Sequence, residues 1–320
     1  MIPPLISIIV PVYNGEKTIT ACVESIIDQE FSKEEYEIIV VDNKSTDKTR
    51  EIVEKFHIKL VSEDEIQSSY AARNLGVTIA KGEIILFIDA DCIAKKDWIS
   101  KIIEGFNDPE VGAIGGEIDD AQPSTLVERF LSDIHPLKNC MKFEGVFLPI
   151  LITANAAFRK NLFIRLGGFK QNLYTIADID LSWRLLLETK YKINYVPDAI
   201  VFHKHRTTLK GMYKQQYRSG LGIILLDAMY KRFRDYPYQP REEYSRIIHQ
   251  IISLLIYTRS IIFRLLTFVF RGLGWDYVLR PVFYFIAELG NLLGKLRGLW
   301  ITRLFTIDLN KLFLEDPRER

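Results

Sequence analysis

The sequence predicts an α/β fold: a mixed, mainly parallel sheet with flanking helices, followed by a C-terminal helical region that associates with a membrane. Three observations predict it. Short runs rich in Ile and Val alternate with segments of helical spacing over residues 1–110. Unusual polar residues stand immediately after several of those runs. The charge also changes sign along the chain, from a net of −9 over residues 1–200 to +11 over residues 201–303.

The first half follows the α/β pattern in order. Leu5–Val12, Tyr36–Val41, Ile58–Val61 and Glu83–Ile88 are apolar runs that suit strands buried on both faces, as in a parallel sheet. Thr18–Glu30, Thr46–Phe56 and Ser68–Ala80 carry helical spacing between them. Strands alternating with helices build a parallel sheet through right-handed crossovers. Residues 111–203 read as a mixed half, with strands at Val111–Ile118, Leu148–Phe158, Lys192–Val196 and Ala199–His203. Helices are predicted at Thr125–Met141, Asn161–Leu166 and Asp180–Thr189.

After residue 205 the chain becomes basic, aromatic and apolar. Ile247–Phe270 is interrupted by His249, Arg259 and Arg264, and Val282–Leu299 by Glu288, Lys295 and Arg297. Neither is an uncharged span of about 20 residues. An amphipathic helical region lying in a membrane interface fits this pattern better, with a spanning pair or a packing helix pair as alternatives. The expected domains are 1–205, divided into parts at about 1–110 and about 111–205, and the helical region 206–320.

The 320 residues, 48% hydrophobic and 26% charged, suffice for a substantial core and exclude a disordered chain. Cys22, Cys92 and Cys140 are widely spaced and form no metal-ligand pattern, which fits a reduced, cytosol-facing protein. The N-terminus has no positively charged segment and does not read as a signal peptide.

In open α/β sheets ligands bind beyond the carboxyl ends of the strands. Asn14 follows the first strand, Asp42 the second, and Asp89 and Asp91 the fourth. Two carboxylates one residue apart at a bend can face one hard cation, Mg²⁺ or Mn²⁺, which takes few protein oxygens plus substrate phosphates. Aspartate at a strand end is otherwise a common turn former. Asp42 suits a nucleobase edge or ribose hydroxyls, while Ser45, Thr46 and Asp47 suit a helix start. Arg73 offers donors to phosphate, though a surface salt bridge is the ordinary use of an Arg-Asn pair. Asp178 and Asp180 stand at a helix start, where a cap alone explains an aspartate. Either also suits a general base that takes an acceptor hydroxyl's proton. His203 and His205 follow a strand and are candidates for metal or phosphate.

Taken in order, these residues fall into a set. Pro11-Val12-Tyr13-Asn14-Gly15-Glu16, Val41-Asp42-Asn43-Lys44-Ser45-Thr46-Asp47, Ala72-Arg73-Asn74-Leu75-Gly76, Asp89-Ala90-Asp91, Asn155-Ala156-Ala157-Phe158-Arg159, Gly167-Gly168-Phe169 and Asp178-Ile179-Asp180-Leu181 occur in that sequence. Together they resemble the family 2 glycosyltransferases of the GT-A fold, over about residues 5–205. The resemblance implies a nucleotide-sugar donor (a UDP-, GDP- or dTDP-sugar), an Asp-x-Asp metal site and inversion at the anomeric carbon. It implies that Pro11, Tyr13, Asn14, Asp42 and Arg73 line the nucleotide, that Asp89 serves the donor's sugars, and that Asp91 holds the metal. Asp178 matches the position of the family's base. Two departures stand out. The family's usual Asp-Asp-Gly-Ser is Asp-Asn-Lys-Ser here, and the Glu-Asp that often precedes the second aspartate is Ala177-Asp178. Gln215 and Arg218 lack the Trp of the processive Gln-x-x-Arg-Trp pattern, so addition of one or a few sugars is expected.

The expected partners are a nucleotide-sugar donor, a glycan or lipid-linked acceptor and an anionic membrane surface, with a homo-oligomer possible and no nucleic acid. The expected site is the cytoplasmic side of the cell membrane, peripheral or partly inserted. Two competing readings are a nucleotidyltransferase of similar fold and a non-catalytic membrane-binding protein on a degenerate transferase fold.

Overall fold

A computed structural model describes residues 5–134, 147–171, 173, 175–231, 233, 240–271 and 275–304. The chain divides into two compact units, one comprising residues 1–121 and 136–204 and the other residues 122–135 and 205–320.

The first unit opens with β1 (Ile6–Val12), α1 (Ile19–Ile27), β2 (Tyr36–Asp42), α2 (Thr49–Val53), β3 (Lys59–Ser62), α3 (Ser69–Ile79) and β4 (Ile84–Ile88). The runs of β1, β2 and β4 form strands because the sheet buries them on both faces: Ile8, Ile9, Val40, Leu86 and Phe87 have no exposed surface, whereas β3, expected to be buried likewise, is the edge strand and is only partly buried. Each fully buried side chain contributes about 1.5–3 kcal/mol by leaving water. β2 and β4 flank β1 in parallel, and β3 pairs in parallel with β2. The carboxyl ends of β1, β2 and β4 therefore lie along one edge.

The rest of the unit is β5 (Cys92–Ala94), α4 (Trp98–Glu104), β6 (Val111–Asp120), then β7 (Asn155–Arg159), α6 (Lys160–Arg165), α7 (Ala177–Glu188) and β8 (Lys192–His203), with α5 (Leu126–Ile134) belonging to the second unit. The sheet order is β3-β2-β1-β4-β7-β6-β8-β5. β7 is antiparallel to β4 and β6, and β5 to β8, while β6 and β8 are parallel, so the sheet is mixed.

Two differences from the sequence reading have physical causes. The strand expected at Leu148–Phe158 begins only at Asn155. The backbone N–H groups of Leu151 and Thr153 donate instead to Ser182 Oγ and Asp178 Oδ2 of α7. The two strands expected at Lys192–Val196 and Ala199–His203 are one, with its register against β6 shifted between Gly116 and Glu117. The helix expected at Thr125–Met141 is α5, whose expected continuation from residue 135 lies outside the described residues. Its start is a capping box in which Glu128 accepts from Thr125 N–H at 2.8 Å and donates its own N–H to Thr125 Oγ1 at 3.1 Å.

In the second unit α8 (Leu209–Tyr230) and α9 (Pro240–Arg271) pack with α10 (Trp275–Leu304). Gly290, Gly294 and Gly298 recur every fourth residue on α10. A Cβ on Gly294 would stand 2.0 Å from the Tyr217 carbonyl oxygen of α8. Such backbone approach is what small residues at this spacing permit. Gln250 of α9 donates at 2.9 Å to both Glu288 and Asn291 of α10. Arg264 donates to the Tyr277 carbonyl at 2.7 Å and lies over the Tyr277 ring. The opposite side of α9 is exposed and apolar, including Ile248, Ile252, Leu255, Ile262 and Leu266. Ser245–Phe268 is long and apolar enough to cross a membrane by length and composition. The sequence reading counted His249, Arg259 and Arg264 as interruptions of a clean span, and of these Arg264 is engaged with α10.

Candidate active site

The site lies at the carboxyl ends of β1, β2 and β4, where chain reversal follows each strand. Pro11 is buried within β1, opposite Val41. Tyr13 follows and is 53% exposed, a free aromatic face beside the crevice. Asn14 adopts φ 51°, and its Oδ1 accepts from Thr46 N–H at 2.8 Å. Its side chain thus fastens the β2–α2 loop. Lys44 in that loop has φ 65°, the left-handed conformation that a glycine takes without strain. The change from Gly to Lys in the Asp-Asn-Lys-Ser run keeps the turn and puts an ammonium on it.

Asp42 ends β2 and is 2% exposed. Its Oδ2 meets Arg50 at 3.3 Å and Ser45 N–H at 3.4 Å. Its Oδ1 is buried without a hydrogen-bond partner. A buried acceptor left open costs about 1–3 kcal/mol, so Oδ1 suits a ligand N–H or O–H.

Asp89 and Asp91 face different neighbours. Asp89 forms an ion pair with Arg73 of α3, whose side chain is nearly fully buried. Asp91 Oδ1 lies 3.7 Å from His203 Nε2, and its carbonyl accepts from Lys204 N–H at 2.9 Å. The last residue of β8, His203, pairs with Cys92 of β5, and this pairing carries the imidazole to Asp91. No cluster of three or more His, Cys, Asp or Glu side chains suited to a metal occurs among the described residues. Asp91 and His203 are the two groups of this edge that stand together as candidate cation ligands.

Asp178 sits in the first turn of α7. The preceding Ile176 has φ 65°, a conformation costly for a β-branched residue, and it turns the chain sharply into the helix. Asp178 Oδ1 accepts from the Tyr70 hydroxyl at 3.0 Å and from Ile179 N–H at 3.0 Å. Its Oδ2 accepts from Thr153 N–H at 3.4 Å. Burial pushes its pKa above the usual carboxylate range, against the opposing pull of the Arg73 charge and these hydrogen bonds. A carboxylate held this way is suited to receive a proton.

Asp180 has another environment. It is fully buried, with Lys170 at 3.0 Å on Oδ1 and Arg184 at 2.8 Å on Oδ2. Arg184 also donates to the carbonyls of Leu166 and Gly168. Asn74 clips the same turn, accepting from Phe169 N–H at 3.0 Å and donating to its carbonyl at 2.8 Å. Gly167 and Gly168 both have positive φ there. The Gly-Gly-Phe run and Asp180 are thus a structural knot behind α7.

Sequence reasoning did not single out Tyr70. A tyrosine at a helix start reads as core, and only its place three residues before Arg73, on one helix face, hints at a shared task.

This edge, with Asp42 and Asp89 at the ends of the strands that flank β1 and Asp178 buried at the start of α7, fits a GT-A glycosyltransferase that takes a nucleotide-sugar donor. The sequence model of glycosyl transferase family 2 matches residues 7–167. The glycosyltransferase AglE of Haloferax volcanii is 31% identical over 234 residues, 69% of this chain and 73% of that protein. The chain belongs to glycosyl transferase family 2 and is a glycosyltransferase. A relative from Methanococcus voltae, named dolichyl N-acetyl-alpha-D-glucosaminyl phosphate 3-beta-D-2,3-diacetamido-2,3-dideoxy-beta-D-glucuronosyltransferase, is 24% identical over 92% of this chain and 97% of its own length. Among solved structures, the mannosyltransferase PcManGT of Pyrobaculum calidifontis, in complex with GDP-Man and Mn²⁺, shares the fold. Its TM-score is 0.61 at 20% identity, over 93% of this chain and 88% of that one.

Proposed function

We propose that this enzyme transfers a sugar from a nucleoside-diphosphate donor to a hydroxyl of a lipid-linked glycan, with inversion and one or a few additions. The observation that carries the reading is the division of the carboxylates. Asp89 is tied to Arg73, Asp91 faces His203, and Asp178 is buried with its Oδ1 held by Tyr70 of α3. Asp91 and His203 would hold Mg²⁺ or Mn²⁺, which when bound supplies Lewis-acid stabilisation to the departing diphosphate. Tyr13 and Asp42 would take the nucleoside, Arg73 and Asp89 the donor's diphosphate and sugar side. Asp178 would remove the proton of the acceptor hydroxyl as it attacks the anomeric carbon. Asp180, closed in by two cations, we assign to the scaffold.

The acceptor and the membrane belong together. The Methanococcus relative is named for transfer onto a dolichyl-phosphate-linked sugar, which favours a lipid-linked acceptor. The exposed apolar side of α9, with Arg259 set among Leu255, Ile262 and Leu266, suits the cytoplasmic interface of an anionic membrane, with the arginine head reaching the lipid phosphates.

Thermal melting with UDP-GlcNAc, UDP-Glc, GDP-Man and dTDP-sugars, with and without Mn²⁺, tests the donor site. A donor at a hundred times its Kd stabilises the fold by about 2.7 kcal/mol. At least one donor is expected to raise Tm in a Mn²⁺-dependent way, and Asp91→Ala to remove the Mn²⁺ dependence. An Asp91→Ala variant with an unchanged Mn²⁺ response would exclude Asp91 from the cation site.

A further inference from the structure

We propose that Tyr70 is a positioning residue for proton removal: its hydroxyl fixes the Asp178 carboxylate so that Oδ2 is the oxygen that receives the acceptor's proton. The proposal rests on Asp178 acting as the base.

The geometry runs through one turn of α3. Tyr70 and Arg73 are three residues apart and share a helix face. Arg73 pairs with Asp89 at the end of β4, while the Tyr70 hydroxyl donates to Asp178 Oδ1 at 3.0 Å. Oδ1 also takes Ile179 N–H at 3.0 Å, so its acceptor capacity is directed into the protein. Oδ2 has one long contact, to Thr153 N–H at 3.4 Å. It is the less engaged oxygen and the better placed to gain a proton. Tyr70 cannot easily turn away. Its ring is buried, lies 5.3 Å from that of Phe169, and has the Arg73 guanidinium 5.4 Å from its centroid. Burial first, and the neighbouring Asp178 charge second, hold the Tyr70 hydroxyl well above its usual pKa. It therefore remains a donor throughout. One turn of helix thus orients the proton acceptor on one side and the donor-site carboxylate on the other.

The step balances simply. The acceptor oxygen bonds to the anomeric carbon, and the bond from that carbon to the diphosphate oxygen breaks with its electron pair going to the diphosphate. The acceptor's proton moves to Asp178 Oδ2. Tyr70 keeps its own proton. The charged groups facing Asp178 are Arg73, with Tyr70 as neutral donor, from α3, and Asp89 beyond Arg73. On its own helix Asp180 is occupied by Lys170 and Arg184.

Tyr70→Phe tests this, because it removes one oxygen and keeps the ring. Aspartate carboxyl carbons labelled with ¹³C report the titration of Asp178 without substrate, its resonance being the one lost in Asp178→Asn. A hydrogen bond to the charged form lowers a carboxyl pKa, so its removal is expected to move the Asp178 titration to higher pH. In turnover of whichever donor wild type consumes, the acid limb of the pH profile is expected to move the same way. Loss of a bond to a charged group predicts a fall of about tenfold in kcat at neutral pH, with donor KM unchanged. Titration and acid limb unmoved in Tyr70→Phe, whatever its Tm, would make Tyr70 a packing residue and overturn the proposal. If Asp178→Asn retains wild-type turnover, the base reading itself fails and this proposal with it. Inactive Asp178→Asn beside an unmoved Tyr70→Phe refutes only the role of Tyr70.

Discussion

Asp178 and Asp180 stand two residues apart, and their surroundings differ: the first meets neutral donors, the second two cations. The folded state holds the Asp178 carboxyl above its usual range, chiefly through burial. As pH rises past the ordinary carboxylate range the unfolded chain gives up this proton first. It then binds fewer protons than the native state, and stability falls with rising pH until the raised native pKa is passed. Asp178→Asn removes that liability and keeps an oxygen to accept from Tyr70. Its Tm is expected to exceed wild type at neutral pH, with the gain vanishing at acid pH below the ordinary range. Asp180→Asn strips the counter-charge from Lys170 and Arg184 and is expected to destabilise by about 3–5 kcal/mol. Chemical denaturation of both variants checks this contrast. Two variants of equal stability would contradict it. The sequence placed both aspartates at one helix start and left open which was the base. The pairing of Asp180 with Arg184 four residues on was readable as a helix-face pair, but Lys170 and the buried carbonyls around it arrive through tertiary folding.

Among the elements, β1, β2 and β4 were legible because each is a largely apolar run of the kind a strand buried on both faces requires, whereas β3, at the sheet edge, is only partly buried. β5 was not legible. It has three residues, and it exists because β8 pairs with it. That pairing is also what carries His203 to Asp91, so their proximity was not legible in the sequence. α5 was legible as a helix but not as part of the second unit, since the packing of Phe130 on Phe283 is long-range. The α8–α10 contact does have a sequence signature, the Gly290, Gly294, Gly298 repeat. Gly294→Ala would push a methyl group against the Tyr217 carbonyl, which no side-chain rotation can relieve. A loss of about 1–3 kcal/mol is expected, read as a lower Tm or earlier proteolysis of the helical unit. Unchanged melting would mean the helices pack less closely than described.

For the whole molecule, the charge split of the sequence corresponds to two compact units, one of net negative charge, the other of net positive charge with an exposed apolar helix side. Replacing Leu255, Ile262 and Leu266 by Asp alters only exposed positions of α9. The triple variant is expected to lose flotation with vesicles containing phosphatidylglycerol while keeping the wild-type Tm. Equal flotation of both proteins would assign α9 to another partner. The domain division read from the sequence at residue 205 did not foresee residues 122–135 joining the second unit, because nothing in their composition marks the transfer.

The central claim is that Asp178 is the base of a nucleotide-sugar-dependent glycosyl transfer. The most direct measurement is release of nucleoside diphosphate from the donor that raises Tm, in wild type and Asp178→Asn, with Mn²⁺ and saturating donor. The account predicts that Asp178→Asn keeps the donor-induced rise in Tm and loses at least about 10²-fold in turnover. Turnover equal to wild type in a variant that still binds donor would contradict it.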